Sequence, residues 1–534
     1  MLQTVDQLLA ARARTHRDKI LLSYRDERLT YETVDRLSGN LAGALQREGV
    51  AKADPVCLML PNCPDYIVAW MAACKLGAIQ VGINTEYTSK GLVHLLELSE
   101  AKVLVLDESY VVALAEVADE LTCLETIILR GNPGVLNEHP RLARFRVIAY
   151  AEAIAAPLPW TAPSIAPSDL LMLIFTSGTT GPAKAVSISH GYCLDMARDL
   201  TSHLGYREDD VIYSCYPLFH TDAAILTYIA ALDLGATTAI GEKFSASRFW
   251  DDIRRHQATI FDFMGAVLAI LYKQPPSPSD RDHRVRLAMG GPRPEIWPEF
   301  SERFGIQVTE IYGSTECGHV CWALGDDEDR AKRGTCGKVD FERYQVRIAD
   351  DDDRELPVGE IGEILVRPNF AHQHMSGYFR DPVETTKAWR NLWYHTRDLG
   401  RIDEDGWLYY HGRRSDAIRK RGNNMSAHEI EEVMMQHPAV LEVAAIGVPS
   451  ELTEEEVKAV VVLRDGQACD PAVLVDWCRS RMPKYMVPRY VEFCKELPKS
   501  STGKVQKKLL RDNWRNASTF DAGDGRQAAA GAVQ

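Results

Sequence analysis

The sequence has no long lysine/arginine-rich tract, and its formal net charge is -14. That balance excludes bulk binding to nucleic acid or to an anionic membrane surface, although a local basic pocket for a small anion remains compatible with it. No continuous apolar run reaches signal-peptide or membrane-span length. The N-terminal "MLQTVDQLLAARARTHRDK" instead mixes charges into an amphipathic helix pattern, so the expected location is the cytoplasm. The twelve cysteines contain no C-x-x-C pair, which fits reduced thiols better than a disulfide framework.

What is present is ordinary in amount and ordered in arrangement. A chain of 534 residues, 46% hydrophobic and 25% charged, is too long for one core and implies several domains. Apolar runs of strand length alternate with helical patterns: "DPVCLML", the helix "PDYIVAWMAACKLG", "AIQVGIN", the helix "TSKGLVHLLELSEA" and "KVLVLD". Such alternation predicts an α/β fold of parallel sheets covered by helices. The proline-rich stretch 156–169, "APLPWTAPSIAPSD", is expected to join two subdomains before the apolar "LLMLIF". Beyond about residue 340 the texture becomes β-rich, with two strands around the acidic turn Asp350 to Asp353 and a hairpin around Asp405-Gly406. The four aspartates lack the ligand spacing and the distal glutamate of a calcium loop, so a solvated turn is expected. A small α/β unit follows residue 415, and residues 517–534 are small and polar and expected to be disordered.

One cluster invites a metal reading. In "ECGHVCW" the side chains of Cys317, His319 and Cys321 share a face if the segment is extended. A zinc site needs four convergent ligands, and with no second cluster the segment reads as a pocket wall or core strand.

The stretch "FTSGTTGPAKAV", from Phe175 to Val186, looks like a phosphate loop but is not the G-x-x-x-x-G-K-[ST] kind: Ala183 and Ala185 stand where the second glycine and the Ser/Thr are required. A phosphate-loop kinase therefore fails on the residues. The segment makes sense as a hydroxyl-rich anion cradle, with donors from Thr176, Ser177, Thr179 and Thr180, close backbone approach at Gly178 and Gly181, and positive charge from Lys184. Four further segments keep it company: "YGSTE" (Tyr312 to Glu316), "YHTRDLG" (Tyr394 to Gly400), "GRRSDAIRKRG" (Gly412 to Gly422) and "PKSSTGKVQK" (Pro498 to Lys507).

Those five segments, in this order and at these separations, resemble the AMP-forming adenylating enzymes: acyl-CoA synthetases, peptide-synthetase adenylation domains and luciferases. The resemblance runs to about Trp514. It implies a large N-terminal domain (1–412) of helix-covered sheets with a β-rich subdomain, a hinge at 413–415, and a small mobile C-terminal α/β domain (416–516). The implied reaction joins a carboxylic acid to coenzyme A: the carboxylate attacks the α-phosphate of ATP, pyrophosphate leaves, and the acyl adenylate passes its acyl group to the thiol with release of AMP. ATP and coenzyme A are the implied co-substrates and Mg2+ the implied cofactor.

The resemblance also assigns residues. Thr176 to Lys184 would hold the β- and γ-phosphates, with Thr179 among the catalytic groups. Glu316 would take magnesium, as a carboxylate suits a hard cation bridging phosphates. Tyr312 would stack on adenine, with Gly290, Gly291 and Pro292 lining the other side and Gly313, Ser314 and Thr315 continuing the wall. Asp398 would accept both ribose hydroxyls with Arg413 nearby. Lys504 would stand between the substrate carboxylate and the α-phosphate, where a positioned ammonium neutralises charge spread in the transition state. His220 would gate the acyl carbonyl, and Tyr216, Asp222, Met264, Gly265, Cys317, Gly318, His319 and Trp322 would form the acyl pocket. Ser415 would be the pivot, and Lys420, Arg421 and Gly422 would serve the thiol step. Three departures from the family pattern bear on loop geometry: "GPAKA" for G-x-P-K-G, Arg397 for the glycine of "TGD", and the serine pivot.

Too few residues follow Lys504 for a carrier domain, so coenzyme A is the expected acceptor, with a separate carrier protein as the alternative. A non-catalytic ATP-binding relative would have no need of Lys504. The segments "FMGAVLAILYKQPPSPSD" and "RKRGNNMSAHEIE" resemble the branch containing carnitine- and crotonobetaine-CoA ligases. For a quaternary ammonium acid, Trp322 would offer a cation-π face and Asp222 a counter-charge. The oligomeric state and the individual acid are left open by the sequence.

Overall fold

The computed structural model describes residues 3–176, 183–265, 267–332, 334–420, 423–450, 455–464, 466–500 and 503–523. Two sheets organise the first part of the chain. One has seven strands in the order Arg146–Ala149, Thr126–Arg130, Val103–Asp107, Pro55–Met59, Ile79–Gly82, Leu170–Thr176 and Lys184–Ser189. All neighbours are parallel except the last pair. Strands buried on both faces read as continuous apolar runs, and all five residues of Val103–Asp107 are buried. The helix Pro64–Lys75 is apolar nearly all round because it too is enclosed, with Trp70 wholly buried. Each such large apolar side chain contributes about 1.5–3 kcal/mol on leaving water.

The second sheet carries the parallel neighbours Val211–Ser214, Ile260–Met264, Leu287–Gly291 and Gln307–Ser314, after which Gly318–Ala323 returns antiparallel. Loops leaving the carboxyl ends of parallel strands are where such sheets bind ligands.

The proline-rich segment does not separate subdomains. Leu170–Thr176 pairs with Ile79–Gly82 in the same sheet that precedes it. Residues 156–169 instead run across the helix Tyr31–Arg47: Gln46 and Thr161 exchange two hydrogen bonds (3.2 and 2.9 Å), and a Cβ on Gly43 would lie 2.6 Å from Leu158. Prolines suit an extended strap that packs through side chains and adds nothing to a ladder.

By packing, the chain divides into one unit of residues 1–345 with 367–392 and another of 346–366 with 393–534. The β-rich stretch thus groups with the C-terminal residues, a division different from the expected boundary at 412. The physical reason is pairing: Gly362–Pro368, Tyr394–Ile402 and Trp407–Arg413 form consecutive antiparallel ladders, and His411 lies 3.0 Å from Glu429 on the helix Ala427–Met435. The acidic turn is as expected, with Asp350 Oδ1 accepting from the backbone of Asp352 and Arg354 (both 2.9 Å).

In the second unit Val440–Pro449, Glu455–Leu463 and Tyr490–Cys494 form a sheet packed by Ala427–Met435 and Pro471–Arg479. The expectation of disorder from 517 needs correction. Phe520–Asp521 adds a fourth strand, pairing with Tyr490 and Val491, and Arg489 grips Asp521 through two bonds of 2.9 and 3.1 Å. Residues 524–534 lie outside the described residues.

Candidate functional site

In the first unit the carboxyl ends of four parallel strands bring the predicted residues to one edge. Ser214 leads into Tyr216 and His220, Ile260–Met264 ends at Met264 and Gly265, Leu287–Gly291 ends at Gly290 and Gly291, and Gln307–Ser314 carries Tyr312. Direct contacts tie these ends together. Met264 N–H donates to the Tyr216 hydroxyl (2.6 Å), Asn62 Nδ2 to Tyr216 O (2.8 Å), and the hydroxyls of Thr221 and Thr315 are 3.1 Å apart. Two glycines are dictated by close approach: a Cβ on Gly290 would fall 1.8 Å from Phe263 O, and one on Gly313 1.9 Å from Gly318 O. The ladder also slips between Tyr312 and Gly313, so the strand bends just where Tyr312 and Glu316 are presented.

Glu316 follows in a turn built by Ser314, whose Oγ accepts from the amides of Glu316 (3.2 Å) and Cys317 (3.3 Å). Its Oε1 accepts from the Tyr378 hydroxyl (3.2 Å). Among the described residues no lysine or arginine pairs with it. A half-buried carboxylate of this kind fits Mg2+, which takes one or two carboxylates and completes its shell with water and phosphate.

The segment expected to be the phosphate loop follows Leu170–Thr176 and precedes Lys184–Ser189, and these two strands pair at Thr176 and Lys184. The expected donors Ser177, Gly178, Thr179, Thr180 and Gly181 lie outside the described residues. Residues 376–379 run alongside Lys184–Ser189, with Ser187 N–H on Gly377 O (3.0 Å), Ser376 N–H on Ser187 O (2.9 Å) and Phe379 N–H on Ala185 O (2.8 Å). That places the Tyr378 ring 5.0 Å from Lys184 Nζ, while Glu384 forms an ion pair with the same ammonium. Neither Tyr378 nor Glu384 stood out in the sequence, for nothing local marks a contact 62 or 200 residues away.

On the acyl side, Asp262 is fully buried, and Ser214 Oγ donates to its Oδ2 (2.7 Å). Burial, then the charge of Asp222, push this carboxyl well above the usual carboxylate range. Asp222 opens the π-helical segment Asp222–Ile229.

Cys317, His319 and Cys321 do not converge on one point. The Cys317 thiol meets Ser314 Oγ (3.3 Å), Cys321 faces Cys336 O (3.3 Å), and His319 Nδ1 is 3.6 Å from Asp199. Trp322 does not offer both faces to a ligand: the ring is 5% exposed and stacks on His203 at 4.4 Å and 6°. Asp199 gathers His203 Nδ1 (3.2 Å) and Arg343 Nε (3.0 Å) as well as His319. Burial alone would raise the Asp199 carboxyl, yet the two histidines and Arg343 bring it down to about 2.

His203 answers in the opposite sense, its hydrogen bond to Asp199 outweighing burial and raising its pKa above 6.5. The stability this supplies is fully present below the unfolded value and is lost as pH rises through the higher folded one. His203→Gln should therefore cost more stability at pH 5.5 than at pH 8.5, by up to about 1 kcal/mol for a partly exposed pair. Urea unfolding at the two pH values checks this; an equal loss at both would place the effect in the Trp322 stack alone.

The second unit holds the remaining residues. Asp398 and Arg413 are opposite each other on paired strands, with Arg413 Nε 3.3 Å from Asp398 Oδ1. Arg397, at the departure from "TGD", adopts the left-handed conformation a glycine would take (φ +63°), and its N–H donates to Glu363 (3.1 Å). Ser415 sits in a single turn, Arg414–Asp416, where the Ser415 carbonyl and the Asp416 carboxylate accept from Arg511. Lys420 is buried and paired with Glu456 at 2.6 Å, so its ammonium is engaged within this unit; Arg421 and Gly422 lie outside the described residues. Lys504 is exposed on a tight turn, where its carbonyl accepts from Ser500 N–H (2.8 Å).

The family model described as AMP-binding enzyme matches residues 9–379, and the AMP-binding enzyme C-terminal domain matches 429–504. A crotonobetaine/carnitine–CoA ligase of Salmonella heidelberg (strain SL476) is 32% identical over 488 residues, covering 90% of this chain and 93% of that protein. Among solved structures, the anthranilate CoA ligase AuaEII in complex with anthranoyl-AMP superposes with a TM-score of 0.85 at 26% identity, covering 96% of this chain and 98% of that one. The o-succinylbenzoate coenzyme A synthetase of Bacillus subtilis, in complex with ATP and magnesium ion, gives 0.80 at 26% identity over 95% and 99% of the two chains.

Proposed function

The chain belongs to the AMP-binding enzyme family, and we propose from that premise how its residues divide the work of an AMP-forming acid–thiol ligase. The reaction is ATP-dependent ligation of a carboxylic acid to coenzyme A through an acyl adenylate. The observation that carries the assignment of residues is the junction of Lys184, Tyr378 and Glu316 beside the strand ends that present Tyr312 and Gly290.

In this reading the acid's carboxylate oxygen forms a bond to the α-phosphorus while the bond to the bridging oxygen of pyrophosphate breaks. Lys184 and the loop Thr176–Lys184 hold the departing β- and γ-phosphates, and Lys504 steadies the carboxylate against the α-phosphate. Tyr312 and Gly290–Pro292 hold the adenine, and Asp398 accepts the ribose hydroxyls while Arg413 fixes its carboxylate. A magnesium ion held by Glu316 would neutralise phosphate charge. In the second step the thiolate of coenzyme A attacks the acyl carbonyl, AMP leaves, and His220 gates that carbonyl. Lys420 supports the thiol step through its buried pair with Glu456, and Ser415 is the pivot between the two steps.

The acid we favour is small and of the betaine class, supported by the crotonobetaine/carnitine–CoA ligase named above and by the negative charge of Asp222, which is felt at the buried Asp262. Trp322, covered by His203, would contribute packing to that pocket and at most an edge to a cation. Reduced cysteines, all twelve of them free thiols, support a cytoplasmic location.

The test is a magnesium-ATP pyrophosphate-release assay across short, branched, aromatic, steroid-like and betaine acids, with and without coenzyme A. Release with betaine acids, with AMP and a thioester appearing only when coenzyme A is present, is the expected outcome. Release confined to neutral acids would remove the betaine assignment, and silence from protein that binds ATP would remove the catalytic one.

A further inference from the structure

Lys184 is already occupied. Its ammonium is paired with a carboxylate oxygen of Glu384, on the short helix Pro382–Ala388, and lies over the Tyr378 ring. Glu384 is itself fixed from three sides. Its N–H donates to Asp381 (3.0 Å), Lys387 Nζ donates to its Oε1 (2.5 Å), and Lys184 takes Oε2. The segment that carries it is held against Lys184–Ser189 by the backbone bonds of 376–379, so this partner arrives with the fold and is not a chance encounter of two long side chains. Lys184 and Lys387 together draw the Glu384 carboxyl down to about 2, so it is anionic at any working pH.

We propose that Glu384 is an internal stand-in for nucleotide phosphate: a positioning residue that holds Lys184 at the base of the phosphate loop and is displaced from it when the β- and γ-phosphates of ATP arrive. The inference rests on the nucleotide reading above and adds to it a residue and a direction of effect. Two anions cannot share one ammonium without loss, so the pair keeps the lysine extended and ordered while subtracting from the affinity of a triphosphate. AMP has no β- or γ-phosphate and does not compete. Because Tyr378 touches both Lys184 and Glu316, the exchange takes place next to the carboxylate assigned to magnesium.

Equilibrium binding of magnesium-ATP and of AMP to the full chain tests this, with Glu384→Gln and Glu384→Ala each made alone and on a Lys184→Met background. Removing the competing charge should tighten ATP about fivefold, the scale of a half-exposed ion pair, and leave AMP within about twofold. On the Lys184→Met background the same substitutions should change neither ligand. Unchanged or weaker ATP binding in both Glu384 variants overturns the inference, as does a gain that persists without Lys184, which would be a general field effect. Wild-type protein that binds no adenine nucleotide overturns the nucleotide reading itself.

Discussion

Lys504→Ala should abolish adenylation of a free acid while largely sparing thioester formation from supplied acyl adenylate. Pyrophosphate release is expected to fall about 10²–10³-fold, the scale on which removal of one preorganised charge-stabilising donor is felt. That corresponds to about 3–4 kcal/mol of transition-state stabilisation. The reason lies in what meets at the α-phosphorus: a carboxylate and a phosphate, both anionic, have to come within bonding distance, and charge spreads over oxygens as they do. An ammonium is a compact charge that serves both. The local structure suits presentation of such a group. Gly503 turns the chain at φ +78°, its N–H donates to Ser500 O (2.8 Å), and Lys499 pairs with Val505, so Lys504 stands exposed on the closing side of a pinned turn. Separate measurement of the two half-reactions checks the prediction. A comparable loss in both would mean that the lysine stays in the site for the thiol step, against the alternation that the Ser415 pivot is proposed to serve.

What the sequence disclosed and what it withheld divide along a physical line. Period and punctuation were enough for the strands and helices from Pro55 to Asp107, for the hairpin at Asp405-Gly406 and for the C-terminal α/β unit, since each is specified within a few residues of itself. The glycines of "GGP" and "YGSTE" were expected only as lining of the adenine site, and the structure supplies a backbone reason for them in the Phe263 and Gly318 carbonyls that a Cβ on Gly290 or Gly313 would strike. Contacts that depend on where a distant segment lands were not legible. Tyr378 and Glu384 reach Glu316 and Lys184 only because 376–379 happens to run beside Lys184–Ser189, and no periodicity encodes that. The face of Trp322 was misjudged for the same reason: its partner, His203, belongs to a helix more than a hundred residues earlier. Phe520–Asp521 escaped because a two-residue strand has no pattern of its own and is ordered by Arg489 and the edge it joins. Arg397 illustrates a departure that composition flags and geometry absorbs, at a cost of about 1 kcal/mol for a left-handed non-glycine residue.

Glu316→Gln is expected to lower pyrophosphate release about 10²-fold at ordinary magnesium and to raise the magnesium concentration needed for half-maximal rate. The substitution keeps the size and the hydrogen-bonding oxygen of the side chain, so the Tyr378 contact and the Ser314 turn survive, and what is lost is one negative charge. A hard dication bound by few protein ligands loses much of its affinity with a charged one, and the amide oxygen that remains is a neutral dipole. Tyr378→Phe makes a graded comparison. It removes the hydroxyl bonded to Glu316 Oε1 but keeps the ring beneath Lys184, so the carboxylate stays charged while losing its orientation. A loss of about tenfold with a rise in magnesium requirement is expected, at the lower end of the 10–100-fold range known for groups that orient metal ligands. Rates measured as a function of magnesium at saturating ATP separate the two contributions. If Glu316→Gln lowers the rate with an unchanged magnesium profile, the carboxylate acts on the substrate and not on the ion, and Tyr378 would then be orienting a catalytic group of a different kind.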